Sequence, residues 1–237
     1  MNDLNDLNDS PQRTRRVAFF TIGESPRSDV VPAMSALLGP HVQVDEFGAL
    51  DALDDMQREA LAPREGEHCF ATRLRDGGSI TLDKHATEAR LAQVMREADA
   101  TGYDALVPLC TGTALPRLAT FLLEPQQVVD QTMVALARHA RKVGVLVPLK
   151  EQLATFHLAE PLPCPLQLDC ASPYERDPGL ATESFERAGR ALSDCDFIVM
   201  HCMGYTEAMR TQVARASGRP TLLSNHLVAH TLGQLLA

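Results

Sequence analysis

Short apolar runs alternate with amphipathic segments along most of this chain. The runs at 17–22, 143–147 and 197–201 are nearly continuously apolar, which is typical of parallel strands buried on both faces. Segments between such runs repeat apolar residues at helical spacing, as at 84–100. The pattern predicts strands at 17–22, 41–47, 69–75, 79–83, 104–109, 143–147, 165–169, 197–201 and 221–224, and helices at 27–38, 50–62, 84–100, 127–139, 148–158, 180–192, 206–217 and 228–236, with a further short helix from about Ala114.

One pair of strands breaks this alternation. Cys69–Arg75 and Ser79–Asp83 flank Asp76-Gly77-Gly78, which predicts a hairpin. Elsewhere strands alternate with helices, so we predict an α/β fold with two pseudo-symmetric lobes, each a short, mainly parallel sheet covered by helices. We expect the active site in the cleft between the lobes, because parallel sheets bind ligands at the carboxyl ends of their strands.

Two stretches of the chain resemble each other and indicate a duplicated unit. YDALVPLCTG (103–112) and CDFIVMHCMG (195–204) each run a predicted strand into a Cys that lies two residues before a Gly. The predicted division is a disordered tail at 1–15, a first lobe at 16–122 plus 225–237, and a second lobe at 123–224.

Composition and charge exclude several classes of partner. The 22 Lys and Arg against 31 Asp and Glu residues give a net charge of −9, and no basic patch suited to nucleic acid is present. No apolar run approaches the roughly 18–20 residues that span a bilayer. Residues 1–16 lack the apolar core of a secretory signal. We therefore expect a cytoplasmic protein that binds neither nucleic acid nor membrane.

The cysteines indicate neither disulfides nor metal. A cytoplasmic protein keeps its thiols reduced, and none of the six cysteines forms a Cys-x-x-Cys pair. His226 and His230 are four residues apart, but Leu227 stands where a metalloprotease has its Glu. No glycine-rich phosphate loop occurs. We predict that the protein uses no metal and no cofactor.

Cys110 and Cys202 are the candidate catalytic residues. Each is predicted to lie at a strand end and at the N-terminus of a helix, where the helix dipole lowers the pKa of a thiol. Two such groups on opposite sides of a bound molecule can remove a proton from one face and return one to the other. His201 precedes Cys202, but neighbouring strand residues point to opposite faces, so we expect it in the core or behind the site.

The same turns carry candidates for binding a small carboxylate. Hydroxyls and free backbone N–H groups there suit a carboxylate or an enolate. The predicted substrate-binding residues are Gly23, Ser25, Arg27, Thr111, Gly112, Thr113, Gly204, Tyr205, Thr206, Ser224 and Asn225.

Six stretches resemble the AroM-like protein family, within the Asp/Glu/hydantoin racemase superfamily. They are TIGESPRSDVVP (21–32), LCTGT (109–113), FLLEP (121–125), VGVLVPLKEQ (143–152), DFIVMHCMGYT (196–206) and LLSNHLVA (222–229). The resemblance implies two lobes related by a pseudo-twofold axis, with catalytic cysteines at equivalent positions. It also implies cofactor-independent chemistry next to a carboxylate, as in racemases, isomerases and decarboxylases of small acids. The superfamily usually has Asn-Thr after its first Cys and Thr-His or Ala-Gly after its second. This chain has Thr111-Gly112 and Met203-Gly204 there, so the resemblance does not by itself point to an amino-acid substrate.

Three hypotheses follow. The first is a racemase, isomerase or related lyase that acts on a small organic or amino acid, with Cys110 and Cys202 as acid and base. The second is a protein that binds or senses small carboxylates without turnover. The third is covalent catalysis by one Cys alone. Because this architecture is often dimeric, a homodimer is also expected.

Overall fold

The computed structural model describes residues 13–64, 68–158 and 160–237. Within this part of the chain, the strands occur in the predicted order, and a helix separates successive strands except at the hairpin. The strands are β1 (Arg15–Thr21), β2 (Val42–Gly48), β3 (Cys69–Arg73), β4 (Ser79–Asp83), β5 (Ala105–Pro108), β6 (Val143–Val147), β7 (Leu166–Cys170), β8 (Phe197–Met200) and β9 (Thr221–Leu223). The helices are α1 (Val31–Leu38), α2 (Asp55–Glu59), α3 (Lys84–Ala98), α4 (Pro125–Ala137), α5 (Gln152–Thr155), α6 (Pro178–Ala191), α7 (Glu207–Ser217) and α8 (Ser224–Leu236).

Two parallel sheets form the frame, and their strand orders correspond. The first has the order β2-β1-β5 and the second β7-β6-β8-β9. In each sheet the first strand of a half lies centrally, between the next parallel strand and the strand that runs into Cys110 or Cys202. The α/β fold class with two covered parallel sheets is therefore confirmed. Of the predicted tail, residues 1–12 lie outside the described residues, and β1 begins at Arg15.

The strands form where the apolar runs predict them, because those runs are buried on both faces. Residues 17–20 of β1 are inaccessible, and every residue of β6 is buried. One hydrophobic core contains Val17 and Val107 from the first sheet together with Val145 and Val199 from the second. The two sheets thus share a core. Helix α8 packs against both α1 and α4.

The predicted hairpin is present, and it also links the two sheets. β3 pairs with β4 in antiparallel register, with Phe70 opposite Leu82. The Arg73 guanidinium donates a 2.5 Å hydrogen bond to the carbonyl oxygen of Pro173, in the loop that follows β7. The hairpin therefore lies across the cleft between the halves.

Several helices differ from the prediction because tertiary contacts hold the chain. Residues 111–124, all described, contain no helix. In this segment the Ala114 N–H donates to Glu88 and the Ala119 and Thr120 N–H groups donate to Asp99, so these three backbone donors are satisfied without helical bonds. Helix α1 begins at Val31, which leaves Arg27 in the connection before it. None of the helices in the described residues is long and apolar enough to cross a membrane.

Candidate active site

A cavity of about 240 Å³ lies at the carboxyl ends of β5 and β8, between the two sheets and under the hairpin. Cys110 and Cys202 both line it. Arg27, Thr111 and Gly112 are the other predicted site residues in its wall. Apolar side chains, among them those of Phe70, Leu109, Val147 and Phe156, form much of the remaining surface.

The two thiols are half-buried and make different hydrogen bonds. The Cys110 thiol donates to the carbonyl oxygen of Thr111, at 3.3 Å. The sulfur of Cys202 accepts from the backbone N–H of Gly204, at 3.4 Å, and lies 3.9 Å from the Tyr174 hydroxyl. The sulfur atoms are close enough for the charge of a Cys202 thiolate to raise the pKa of Cys110.

Burial, rather than a helix dipole, sets the pKa of these thiols. It raises the pKa of both, and the Arg27 charge opposes the effect without cancelling it. The expected lowering of the pKa is wrong because neither thiol lies at the start of a helix. Residues 111–124 are not helical, and α7 begins only at Glu207. The Cys202 sulfur nevertheless accepts the backbone N–H of Gly204.

Arg27 brings a buried positive charge to the cavity. It is 3% exposed, and its Nε and Nη2 donate to the two carboxylate oxygens of Asp29, both at 2.8 Å. Burial alone would lower the pKa of the guanidinium, but its hydrogen bonds to Asp29 and the surrounding negative charges, that of Asp29 among them, raise the pKa above its ordinary value. Arg73 of the hairpin also pairs with Asp29, at 3.3 Å. The guanidinium is therefore charged and fixed in orientation.

Thr111 and Gly112 follow the first thiol along the cavity wall. The Thr111 hydroxyl donates to the carbonyl oxygen of His201, at 2.8 Å, and so joins the turn after β5 to the end of β8. Gly112 has a φ of +82°, in the left-handed region that favours glycine.

The other predicted binding residues of the first half do not line this cavity. The Ser25 hydroxyl donates to a carboxylate oxygen of Asp51, at 2.5 Å, and neither residue lines the cavity. Gly23 lies against the hairpin, where an added Cβ would be 2.5 Å from the Arg73 carbonyl oxygen. Thr113 lies beyond the cavity wall, in the segment that leads to Ala114.

In the second half, the predicted binding residues support the loop around Cys202 from behind. Gly204 lies under Tyr174, and the buried Tyr205 hydroxyl donates to the Ala171 carbonyl oxygen at 2.9 Å. Thr206 caps α7 by accepting the N–H of Met209.

Ser224 and Asn225, the two remaining predicted binding residues, hold the start of α8 in place. Ser224 donates to the Met200 carbonyl oxygen, and Asn225 donates to those of Met203 and Tyr205. None of the five predicted binding residues in this half lines the cavity, and the four with polar side chains form hydrogen bonds inside the protein.

Sequence reasoning missed Tyr174, which lines the cavity and contacts Cys202. It lies in the loop after β7, and the carboxyl end of that strand is at the same edge of the sheet as Cys202. The position of Tyr174 shortly after a predicted parallel strand was therefore the one signal in the sequence that could have indicated this residue. The hairpin also contributes a third thiol, Cys69, to the cavity wall, and burial raises the pKa of this thiol.

A buried carboxylate–imidazole pair was also missed. His201 lines the cavity, and its Nε2 is 2.7 Å from Asp130 Oδ1 in α4. Asp130 accepts a second hydrogen bond from Gln126, at 2.5 Å. The pair fixes the imidazole against the edge of Phe156. In the described residues no group of three or more His, Cys, Asp or Glu side chains is arranged to hold a metal ion.

The sequence of this chain matches a known protein family. The family model described as AroM protein matches residues 17–236, which is nearly the whole chain. The chain belongs to the AroM protein family. The resemblance to the AroM-like family, inferred from the six sequence stretches, is confirmed. No curated protein matches the sequence of this AroM-family chain.

The AroM-family chain shares its fold with solved structures of low sequence identity. A liganded double mutant of arylmalonate decarboxylase is 18% identical, with a TM-score of 0.57 and coverage of 94% of this chain and 92% of that one. Klebsiella pneumoniae allantoin racemase is 16% identical, with a TM-score of 0.59 and coverage of 94% and 87%. Picrophilus torridus aspartate racemase is 10% identical, with a TM-score of 0.58 and coverage of 94% of each chain.

Proposed function

We propose that this chain is a cofactor-independent racemase, isomerase or related lyase that acts at the carbon next to the carboxylate of a small acid. The observation that carries the proposal is that Cys110 and Cys202, which follow corresponding strands of two matching sheets, line one cavity. The proteins named above that share the fold are racemases and a decarboxylase, which supports this class of reaction.

In the proposed mechanism the substrate carboxylate lies near Arg27, and its α-carbon lies between the two sulfur atoms. One thiolate removes the α-proton, and the electron pair moves into the carboxylate as an enediolate. The opposite thiol then protonates the carbon. The positive charge of Arg27 stabilises the enediolate, because it is held in a buried site before the charge develops.

Burial of the thiols gives the proposed reaction a pH dependence. A thiol of raised pKa is a stronger base when ionised, which suits a weakly acidic C–H bond. It is also less ionised near neutral pH. Because the pKa of both thiols is raised above the ordinary value of 9.0, activity is expected to increase from pH 7 to beyond pH 9.

The experiment follows exchange of the α-proton by NMR in D₂O, with a panel of small amino, hydroxy and aryl-substituted acids. Cys110→Ser and Cys202→Ser together are expected to slow the exchange by about 10²–10⁴-fold. Cys164→Ser is the matched control, because Cys164 packs beside the core and does not line the cavity. Exchange that survives both active-site substitutions would refute the acid–base pair.

The buried guanidinium of Arg27 in the cavity wall supports a second candidate, a carboxylate-binding or sensing protein without turnover. For that function Arg27 and the cavity are sufficient. Binding of an acid that Arg27→Gln weakens, together with no α-proton exchange up to pH 10, would support it over the enzyme.

A further inference from the structure

The surroundings of the two thiols differ in a way that the duplicated strands do not predict. Cys110 and Cys202 follow corresponding strands, yet Cys110 donates its proton to a carbonyl oxygen, whereas Cys202 accepts from an N–H group and faces a hydroxyl. An acceptor beside a thiol favours the protonated form, and donors beside a sulfur favour the thiolate.

Tyr174 is the side chain that contributes to this difference at Cys202. It is 9% exposed, and the Cys202 sulfur, at 3.9 Å, is the hydrogen-bond partner of its hydroxyl among the described residues. Burial, followed by the charge of Cys202, raises the pKa of Tyr174 well above its ordinary value. The phenol therefore keeps its proton and serves as the donor when Cys202 ionises.

The position of Tyr174 is fixed from two sides. The Arg73 guanidinium lies over its ring, 5.7 Å from the centroid. On the other side, an added Cβ at Gly204 would lie 2.8 Å from the Tyr174 hydroxyl oxygen. Glycine at 204 thus permits the close approach of the hydroxyl to Cys202.

We propose that Tyr174 is a positioning residue that holds Cys202 as the proton acceptor of the pair, while the Thr111 carbonyl holds Cys110 as the proton donor. This assignment deepens the proposed function and takes its catalytic meaning from it. Before the reaction, Cys202 is the thiolate and Cys110 is the thiol. The substrate C–H bond breaks, and its proton passes to Cys202, which becomes a thiol. The Cys110 S–H bond then breaks, its proton forms the new C–H bond on the opposite face, and Cys110 is left as the thiolate. Cys202 then releases its proton to water and Cys110 takes one up from water, which restores the starting state.

Other charged groups act on the two thiols as well. Arg27 favours the thiolate at both positions, and Asp29 opposes it at Cys202. The fully buried Tyr205 hydroxyl is directed to the Ala171 carbonyl oxygen and does not reach the sulfur.

At Cys110 the groups from α3 oppose each other. Lys84 favours the thiolate and Glu88 disfavours it, and the two side chains lie 3.9 Å apart. The hydrogen-bond donors at Cys202, Tyr174 and the Gly204 N–H, have no counterpart in the hydrogen bond of Cys110.

The test is the pH profile of iodoacetamide alkylation, followed separately at Cys110 and Cys202 by peptide mass spectrometry. Alkylation requires the thiolate, so each midpoint reports ionisation and needs no turnover. In the natural protein, Cys202 is expected to have the lower midpoint. Tyr174→Phe is expected to slow alkylation of Cys202 about three- to tenfold at a fixed pH below the midpoint, which moves that midpoint up by about half to one pH unit.

Tyr103→Phe is the matched control, because it removes a hydroxyl bonded to Asp45, outside the cavity. Cys110 in the same samples reports any change in access to the cavity. A midpoint for Cys110 at or below that of Cys202 in the natural protein would overturn the assignment, and so would an unchanged Cys202 midpoint in Tyr174→Phe. If the alkylation profiles are as expected but no α-proton exchange is found, that result would count against the proposed function alone.

Discussion

Asp130 and His201 form a polar contact inside a largely apolar wall. Both side chains are nearly inaccessible, at 4% and 7% exposure. A buried polar group is stable only when it is hydrogen-bonded, and Asp130 accepts from both His201 and Gln126. This carboxylate therefore holds together α4 and the end of β8 beside the cavity.

Replacing Asp130 is expected to destabilise the fold to a degree that depends on whether an acceptor remains. Asp130→Ala leaves the His201 and Gln126 donors unsatisfied and should lower the free energy of unfolding by about 1–3 kcal/mol. Asp130→Asn keeps an oxygen acceptor for His201 and should lower it less. Urea unfolding followed by circular dichroism measures both values. Equal losses in the two variants would contradict this account.

Helices α6 and α7 approach each other closely at Gly189. An added Cβ at Gly189 would lie 2.8 Å from both the Ala216 Cβ and the Val213 carbonyl oxygen, closer than real Cβ contacts. Glycine in the middle of a helix is unfavourable by about 1 kcal/mol relative to alanine. The close packing of the two helices explains why glycine is nevertheless suitable here.

Two glycine substitutions distinguish the effect of close packing on stability from the effect of helix propensity. Gly189→Ala is expected to lower the free energy of unfolding, because overpacking costs about 1–3 kcal/mol and outweighs the gain in propensity. Gly233→Ala, in α8, should leave it unchanged or raise it, because that Cβ would lie 3.4 Å from its nearest neighbour, the Leu37 carbonyl oxygen. Urea midpoints of the two variants test the comparison, and a Gly189→Ala protein as stable as Gly233→Ala would refute it.

At the scale of the whole molecule, the two sheets depend on one hydrophobic core. Val17 and Val107 of the first sheet pack in the same cluster as Val145 and Val199 of the second, with Val228 of α8. Hydrogen bonds from Thr111 and Arg73 also cross between the halves. Neither half could expose its part of this core without loss of the contacts that stabilise the other.

We therefore expect the two halves to unfold together. The urea transition followed by far-ultraviolet circular dichroism should coincide with that followed by tyrosine fluorescence, because Tyr103 lies in one half and Tyr174 and Tyr205 in the other. Gly189→Ala should shift both curves by the same amount. Two separated transitions, with only one of them moved by the substitution, would show that the halves are independent.

The sequence by itself determined the order of strands and helices, the hairpin at 69–83 and the position of both cysteines at strand ends. These features are local, because a buried strand requires a continuous apolar run and a hairpin requires Asp76-Gly77-Gly78 or a similar turn. The predicted helix near Ala114 failed because Glu88 and Asp99 hold that segment in another conformation.

The tertiary structure alone decided which side chains reach the cavity and how its thiols ionise. Tyr174, Asp130 and the hairpin come from distant parts of the chain, so no local pattern places them beside Cys202. Burial then raises the pKa of both thiols, opposite to the direction that their predicted helix positions implied. Desolvation and long-range hydrogen bonds depend on what surrounds a group in three dimensions, and that information is absent from the neighbours of Cys110 and Cys202 in the sequence.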